Sequence, residues 1–488
     1  MRAIPALIGV VLLAPLTALR AASPPGPRPN FLVILCDDLG YGDLACQGHP
    51  HVQTPHLDGL ARDGIRFTSC YSAAPVCSPA RVGLLTGRNP NRAGVFDWIP
   101  AFEPSSTARI ASRHLVHLRR TEVTLPQLLL ETGYATALCG KWHCNSRFNH
   151  SDQPQPGDAG FEHWFATQNN AAPSHEHPTN FVRNGLAVGP LSGYSCRLVA
   201  REAIGWLQNH HNRHPDKPFF LYVAFHEPHE PVASPPELVR KYLNKAGNED
   251  QAQYFANIEN LDAAVGELLG ALDRLDLARN TLVFFTSDNG PETLNRYAAA
   301  RRSYGSAGPL RGMKLWTTDG GLRVPGILRW PAKVKAGQVS AEPIGALDML
   351  PTLAALAGAE VRTGLRMDGA NLSPLLNGDR LHRTQPLFWV YFQSLNQEQV
   401  AMRDGPWKLL ARLEGGKLPR VSNVTQTTAS RVRQARLSDF ALYRVADDVS
   451  ERRDLSAREP EKLLELSGKL ESLYRDLTAT MHVWPDTP

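Results

Sequence analysis

Phe31-Leu32-Val33-Ile34-Leu35-Cys36 is an unbroken apolar run that stops abruptly at Asp37-Asp38. Such a run, too short for a typical helix and apolar on both sides, reads as a strand buried on both faces, the habit of a parallel sheet. Three later stretches repeat it: 134–139, 219–225 and 281–286. Between and beyond them, apolar residues at helical spacing predict helices near 54–64, 123–132, 197–211, 252–276 and 346–357. Strand and helix in alternation predict an α/β fold, a large mixed but mostly parallel sheet flanked by helices.

The residues just past each strand are as telling as the strand. Asp37-Asp38 end the first, Gly140-Lys141-Trp142-His143 the second, His226-Glu227-Pro228-His229 the third and Asp288-Asn289-Gly290 the fourth. In open α/β sheets ligands gather at the carboxyl ends of the strands. Ordinary turn chemistry explains any one of these clusters. Four of them after four strands predict one shared site.

Beyond about residue 380 the texture changes. The stretches 386–392, 399–402 and 407–411 read as short antiparallel strands, and a helix is expected at about 459–477. The segment 413–439 is polar and without period, and is expected to be a mobile loop. The chain thus divides into a leader at 1–22, a large domain at 23–380 and a smaller α+β subdomain at 381–488. The leader has Arg2, an apolar stretch from Ile4 to Leu16 and small residues from Ala18 to Ser23. That is the pattern of a secretory signal peptide, too short and proline-broken to span a bilayer, so the mature chain is expected to be secreted or periplasmic with no membrane anchor.

A net charge of +5 is spread over 488 residues with no arginine- or lysine-rich run, which argues against nucleic acid as a partner. Seven cysteines (36, 46, 70, 77, 139, 144 and 196) are an odd number for an exported protein and point to one special thiol. Cys36, Cys70 and Cys139 lie in strand-like runs and are expected to be buried and free. No C-x-x-C pair suggests zinc or redox chemistry.

The strand-end clusters suit hydrolysis of an anionic ester, which needs a nucleophile, cations to absorb oxyanion charge and an acid for the leaving oxygen. Asp37, Asp38, Asp288 and Asn289 offer only oxygen ligands, fit for a hard cation such as calcium or magnesium. Arg81, Lys141 and Lys314 supply fixed positive charge, and His143 and His229 can move protons.

Cys77-Ser78-Pro79-Ala80-Arg81, followed by an apolar run and Thr86-Gly87-Arg88, resembles the signature of the type I, formylglycine-dependent sulfatases of the alkaline phosphatase superfamily. The companions are similar too: Asp37-Asp38, the Gly-Lys-Trp-His segment, Pro228-His229-Glu230-Pro231 and Ser287-Asp288-Asn289-Gly290. So are Thr54–Asp58, Leu310–Lys314 and Asp348–Thr352, and the likeness runs from Asn30 to the C-terminal helix. It implies an alkaline-phosphatase-like fold and a hydrolase releasing sulfate from monoesters, sulfated carbohydrates or aryl sulfates. It implies that a maturation enzyme, a formylglycine-generating or a radical sulfatase-maturating one, oxidises Cys77 to formylglycine. It further implies one calcium ion, with magnesium a lesser fit, held by Asp37, Asp38, Asp288 and Asn289 with Cys77 beside them. Arg81 would hold the hydrated aldehyde, one hydroxyl of which attacks sulfur while the other later expels sulfate. Lys141 would contact the sulfate, His143 would assist its release, and His229 with Lys314 would bind the bridging oxygen and protonate the leaving group.

Plainer roles are expected elsewhere. Ser78 reads as a helix N-cap with Pro79 in the first turn. His226 and Asp58 read as structural, and Asp43 and Asp319 as surface or loop acids. Many relatives carry Glu-Gly-Gly where this chain has Asp319-Gly320-Gly321, so substrate contacts there are expected to differ. The polar stretch Gln168–Asn180 is a candidate sugar-recognition loop, and Trp316 or Trp142 could stack on a sugar, with buried packing equally open to Trp142. Two rival readings are a phosphonate or phosphate ester hydrolase of the same superfamily and an inactive relative that binds sulfated glycans.

Overall fold

The four apolar runs are adjoining strands of one sheet in the computed structural model, which describes residues 28–103, 113–293, 297–361, 365–413 and 422–486. The expected leader at 1–22 lies outside the described residues. In chain order the main strands are β1 (Asn30–Asp37), β2 (Ile65–Tyr71), β3 (Ala135–Lys141), β4 (His163–Thr167), β5 (Phe219–Pro228), β6 (Thr281–Ser287) and β7 (Arg323–Arg329). Across the sheet they run β2-β7-β6-β1-β5-β3-β4, and short strands at the margins bring the sheet to eleven.

β1 sits between β5 and β6 and is parallel to both, with Phe31 opposite Phe220 and Leu282. Phe31, Val33 and Leu35 enter one hydrophobic layer, and Leu32, Ile34 and Cys36 the other. Both faces are covered, so the run has no polar alternation. Helices α1 (Pro55–Arg62), α2 (Cys77–Thr86), α3 (Leu125–Glu131), α4 (Ser195–Arg213), α5 (Glu249–Arg274) and α6 (Met349–Ala357) provide the cover. Leu57 and Leu60 of α1, Leu207 of α4 and Leu261 and Leu268 of α5 fill one layer. Leu84 of α2, Leu128 of α3 and Leu353 of α6 fill the other. β7 runs antiparallel to both β2 and β6, which makes the sheet mixed.

A second sheet holds four antiparallel strands, β8 (Leu387–Val390), β9 (Val400–Asp404), β10 (Trp407–Leu413) and β11 (Leu437–Arg444). Helices α7 (Gln426–Gln434) and α8 (Pro460–Thr480) accompany it. α7 and β11 correct the expectation of a patternless loop over 413–439, of which 414–421 lie outside the described residues. The reason is compositional. α7 is a polar helix that buries only Ala429 and Val432, too few apolar positions to show a period, and it starts on a capping box of Thr425 and Thr428.

The small sheet docks beside α2. Asn89 and Asn91 donate through their amides to the Phe388 and Val390 carbonyls at 3.1 and 3.0 Å, and Trp389 Nε1 donates to Ser72 O at 2.8 Å. All seven cysteines are free, with Cys36, Cys70 and Cys139 buried as expected. Among the described residues no helix is long and apolar enough to cross a membrane.

Candidate active site

The carboxyl ends of β1, β3, β5 and β6 meet, as their sequence predicted. Asp37 and Lys141 are the last residues of β1 and β3, while His229 follows β5 and Asp288-Asn289 follow β6. Gly140 makes the approach of β3 to β5 possible. It has φ +116°, and a Cβ there would stand 1.8 Å from Ala224 O. Asp38 (φ 62°) and His143 (φ 53°) occupy the left-handed region, a costly backbone for residues with side chains and one that concentrates at functional sites.

α2 enters from the side. Its first residue is Cys77, and the N-cap is Val76 rather than Ser78, whose Oγ instead accepts from Ile99 N at 2.9 Å. Arg81 lies one turn on and is fully buried. Its Nε donates to Asp288 Oδ2 at 2.9 Å, its Nη2 stands 2.7 Å from the same oxygen, and its Nη1 donates to Lys141 O at 3.0 Å. Arg81 therefore braces the ends of β3 and β6 from below.

The floor is a set of buried acids. Lys141 Nζ donates to Asp37 Oδ2 at 2.5 Å and Lys314 Nζ to Asp38 Oδ2 at 2.7 Å. Asn289 Nδ2 donates to Asp38 Oδ1 at 2.7 Å, and Cys77 Sγ lies 4.0 Å from that oxygen. Ligand atoms of Asp37, Asp38, Cys77 and His229 all fall within 4.8 Å of one another. Asp37 Oδ1 and Asn289 Oδ1 are buried without a hydrogen-bond partner. An orphaned carboxylate oxygen and an orphaned amide oxygen, beside the buried carboxylates of Asp38 and Asp288, are a donor set that fits a hard divalent cation.

Burial alone would raise the pKa of Asp37, but Lys141, His229 and Arg81 hold it well below the carboxylate range. Burial and the neighbouring Asp37 charge push Asp288 up to about 7. That strain is the kind a bound cation relieves.

Above the floor opens a cavity of about 360 Å³, walled by Cys77, His143, His229 and Lys314 together with Trp98, Asn169, Asn170, Glu230 and Tyr297. His143 Nε2 donates to Ile99 O at 2.9 Å, which leaves Nδ1 bare and unpartnered. Burial, with Lys141 and Arg81, drives its pKa well below the usual range, so the ring is neutral. His229 Nδ1 stands 2.9 Å from Glu230 O and 3.0 Å from Glu230 Oε2, and its Nε2 is 3.5 Å from Asp38 Oδ2. Burial and Lys314 bring its pKa down to about 4. Burial pushes the Cys77 thiol far up, so an unmodified cysteine there is a poor nucleophile.

Residues 29–359 match the sulfatase family model, and 313–412 match the C-terminal model of N-sulphoglucosamine sulphohydrolase. The chain belongs to the sulfatase family. It is 37% identical to arylsulfatase A of Bos taurus over 81% of this chain and 76% of that one. It is 34% identical to N-acetylgalactosamine-6-sulfatase of Mus musculus, over 78% and 72%. Among solved structures, Ps i-CgsB in complex with k-i-k-neocarrahexaose superposes with a TM-score of 0.72 at 26% identity, over 93% of this chain and 98% of that one. The protein is a sulfatase, a hydrolase of sulfate esters.

Every candidate catalytic and metal-binding residue is brought to one place, but not all face the cavity. Lys141, Arg81 and the candidate metal-site acids form the floor, while Cys77, His143, His229 and Lys314 line the wall. His226 stays structural, with Nε2 2.7 Å from Thr167 Oγ1, and Asp58 closes a turn by accepting from Cys46 N and Thr54 Oγ1 at 2.9 and 3.0 Å. Trp142 is packed away in the core, and Trp98 is the indole that reaches the cavity.

Asp43 and Asp319, expected as surface or loop acids, are fully buried. Asp43 accepts from Gly40 N, Ser306 N and Tyr254 Oη at 2.6, 2.8 and 3.1 Å. Asp319 accepts from Lys408 Nζ at 2.6 Å and Tyr71 Oη at 3.0 Å, and so serves the frame rather than the substrate. Each found the donors that burial demands. Glu230 and Tyr297 were missed. The one signal for Glu230 was its place beside His229, and an isolated tyrosine gives none.

Proposed function

We propose that this sulfatase releases inorganic sulfate from sulfated carbohydrates, using formylglycine made from Cys77 by a maturation enzyme and one calcium ion, and that it acts after export, secreted or periplasmic. The observation that carries the reading is the position of Cys77, over a buried acid cluster and under a cavity walled by two neutral imidazoles and a lysine. Asp37, Asp38, Asp288 and Asn289 would hold the calcium ion, which would supply positive charge to a sulfate oxygen. Formylglycine at position 77 would supply, as its hydrate, two hydroxyls on one carbon, one for attack on sulfur and one whose collapse to the aldehyde would break the carbon–oxygen bond to sulfate.

The other residues divide the remaining work. Lys141 offsets the charge of Asp37 from beneath and lies at the sulfate end of the site, and Arg81 holds Asp288 in line. His143, neutral with Nδ1 bare, is the base. Asp38 keeps Lys314 protonated against its burial, so Lys314 is the donor for the leaving oxygen, and His229 stands beside it with Nε2 3.5 Å from the same carboxylate oxygen. The preference for sugars is supported by the relative named N-acetylgalactosamine-6-sulfatase, by the k-i-k-neocarrahexaose in complex with Ps i-CgsB, and by the amides of Asn169 and Asn170 at the cavity. The test is a side-by-side assay of aryl sulfate, aryl phosphonate and sulfated oligosaccharides. Free sulfate from the first and last is expected. A phosphonate preference, or binding of sulfated glycan without turnover, would replace the reading by one of its rivals.

A further inference from the structure

Lys314 is carried by the loop 311–321, and much of what fixes that loop comes from the strands of the small sheet and the segments that join and follow them. Leu315, the next residue, has φ 68°, a left-handed backbone unfavourable for leucine. It is held from both sides. Its N–H donates to Pro75 O at 2.8 Å, and its carbonyl accepts from Leu395 N at 2.9 Å. Two residues on, Thr317 N donates to Asn396 Oδ1 and Asn396 Nδ2 donates back to Thr317 Oγ1, both at 2.9 Å. At Asp319, Lys408 Nζ donates to Oδ1 at 2.6 Å and the backbone N–H donates to Glu451 Oε2 at 2.8 Å, while Lys408 and Glu451 stand 3.1 Å apart. Lys408, Asp319 and Glu451 are all fully buried.

A buried ion cluster is weak evidence for stability, because taking the charges out of water offsets much of their attraction. What such a cluster does well is fix geometry, and this one fixes the base of the loop that ends in Lys314 Nζ. We propose that Lys408, assisted by Asn396, is a positioning residue of the sulfatase reaction. From the C-terminal sheet it sets the 311–321 loop so that Lys314 reaches the oxygen of the departing alcohol. The inference rests on the leaving-group role given to Lys314 above.

The test compares phenyl sulfate, a poor leaving group, with para-nitrophenyl sulfate, a good one, in the full-length enzyme and its Lys408→Met and Asn396→Ala variants. A displaced Lys314 costs most where the leaving oxygen needs most help. In Lys408→Met kcat should fall about tenfold on phenyl sulfate and only about threefold on para-nitrophenyl sulfate, with KM nearly unchanged. The ratio of the two losses cancels the fraction of mature enzyme, so general damage to the fold cannot imitate it. Equal losses on both esters, or wild-type rates on both, would overturn the proposal. Asn396→Ala, which keeps every charge, carries the same comparison should Lys408→Met not fold. A wild-type enzyme silent on both esters would count against the chemistry itself. Placement is then decided by hydrogen exchange of amides in 311–321, faster in Asn396→Ala if the clamp holds, unchanged if it does not.

Discussion

Asp37 shows most plainly what the floor of the site is for. One of its oxygens is taken by Lys141, and the other is buried with no hydrogen bond, only Arg81 Nη2 at 3.7 Å; an unmade hydrogen bond costs about 1–3 kcal/mol for an ordinary buried polar group. Calcium should therefore raise the melting temperature, by the equivalent of about 2.7 kcal/mol at a hundred times its Kd, and chelation should reverse the gain. Asp37→Asn should lose the calcium-dependent part of that gain in thermal melts, and an undiminished shift in the variant would place the cation elsewhere. These candidate ligands were legible in the sequence because each stands at the end of an apolar strand. Trp98 and Tyr297 were not, since a lone aromatic in a loop carries no pattern. Asp43 and Asp319 were misread because loop acids are usually solvated, and only the fold reveals the donors that surround them.

The loop holding Asn169 and Asn170 is tied down by His175, a buried ring that connects it to α5. Asn257 Nδ2 of α5 donates to His175 Nδ1 at 3.1 Å, so the nitrogen must be bare, and burial lowers the pKa of the ring. A histidine whose folded pKa lies below its unfolded value contributes stability that is present above about pH 6.5 and lost as pH falls through the folded pKa. Between pH 7 and pH 5 the wild type should lose more melting temperature than His175→Gln, and parallel curves would contradict this linkage. Elements of this kind differ in how openly the sequence displays them. β1, β3, β5 and β6 are doubly buried and read at sight. β7 hides behind charged ends and an internal proline and glycine, and α7 behind its polarity.

Across the whole molecule, the catalytic sheet and the small sheet share one frame. Arg92, just past α2, pairs with Asp368 at 2.9 Å and with Asp476 of α8 at 2.7 Å, and Trp484 Nε1 donates to Gly94 O at 2.7 Å. Tyr391 Oη donates to Asp97 Oδ1 at 3.0 Å, next to Trp98 of the cavity. A chain ended at residue 380 would expose Tyr71 and Leu322 and leave Asp319 buried beside no lysine. It should yield no soluble, active enzyme, and a folded fragment that releases sulfate would show the small sheet to be dispensable. The alternation of strands and helices foretold the large sheet, and the composition after residue 380 foretold the small one. Their junction was not legible, because it is made by single side chains far apart in sequence.

The central claim concerns Cys77, and mass spectrometry of its peptide, from active protein made in its own host, tests it most directly. The account predicts a residue about 18 Da lighter than cysteine, the mass of formylglycine. Sulfate release by protein in which Cys77 is wholly unmodified would contradict it.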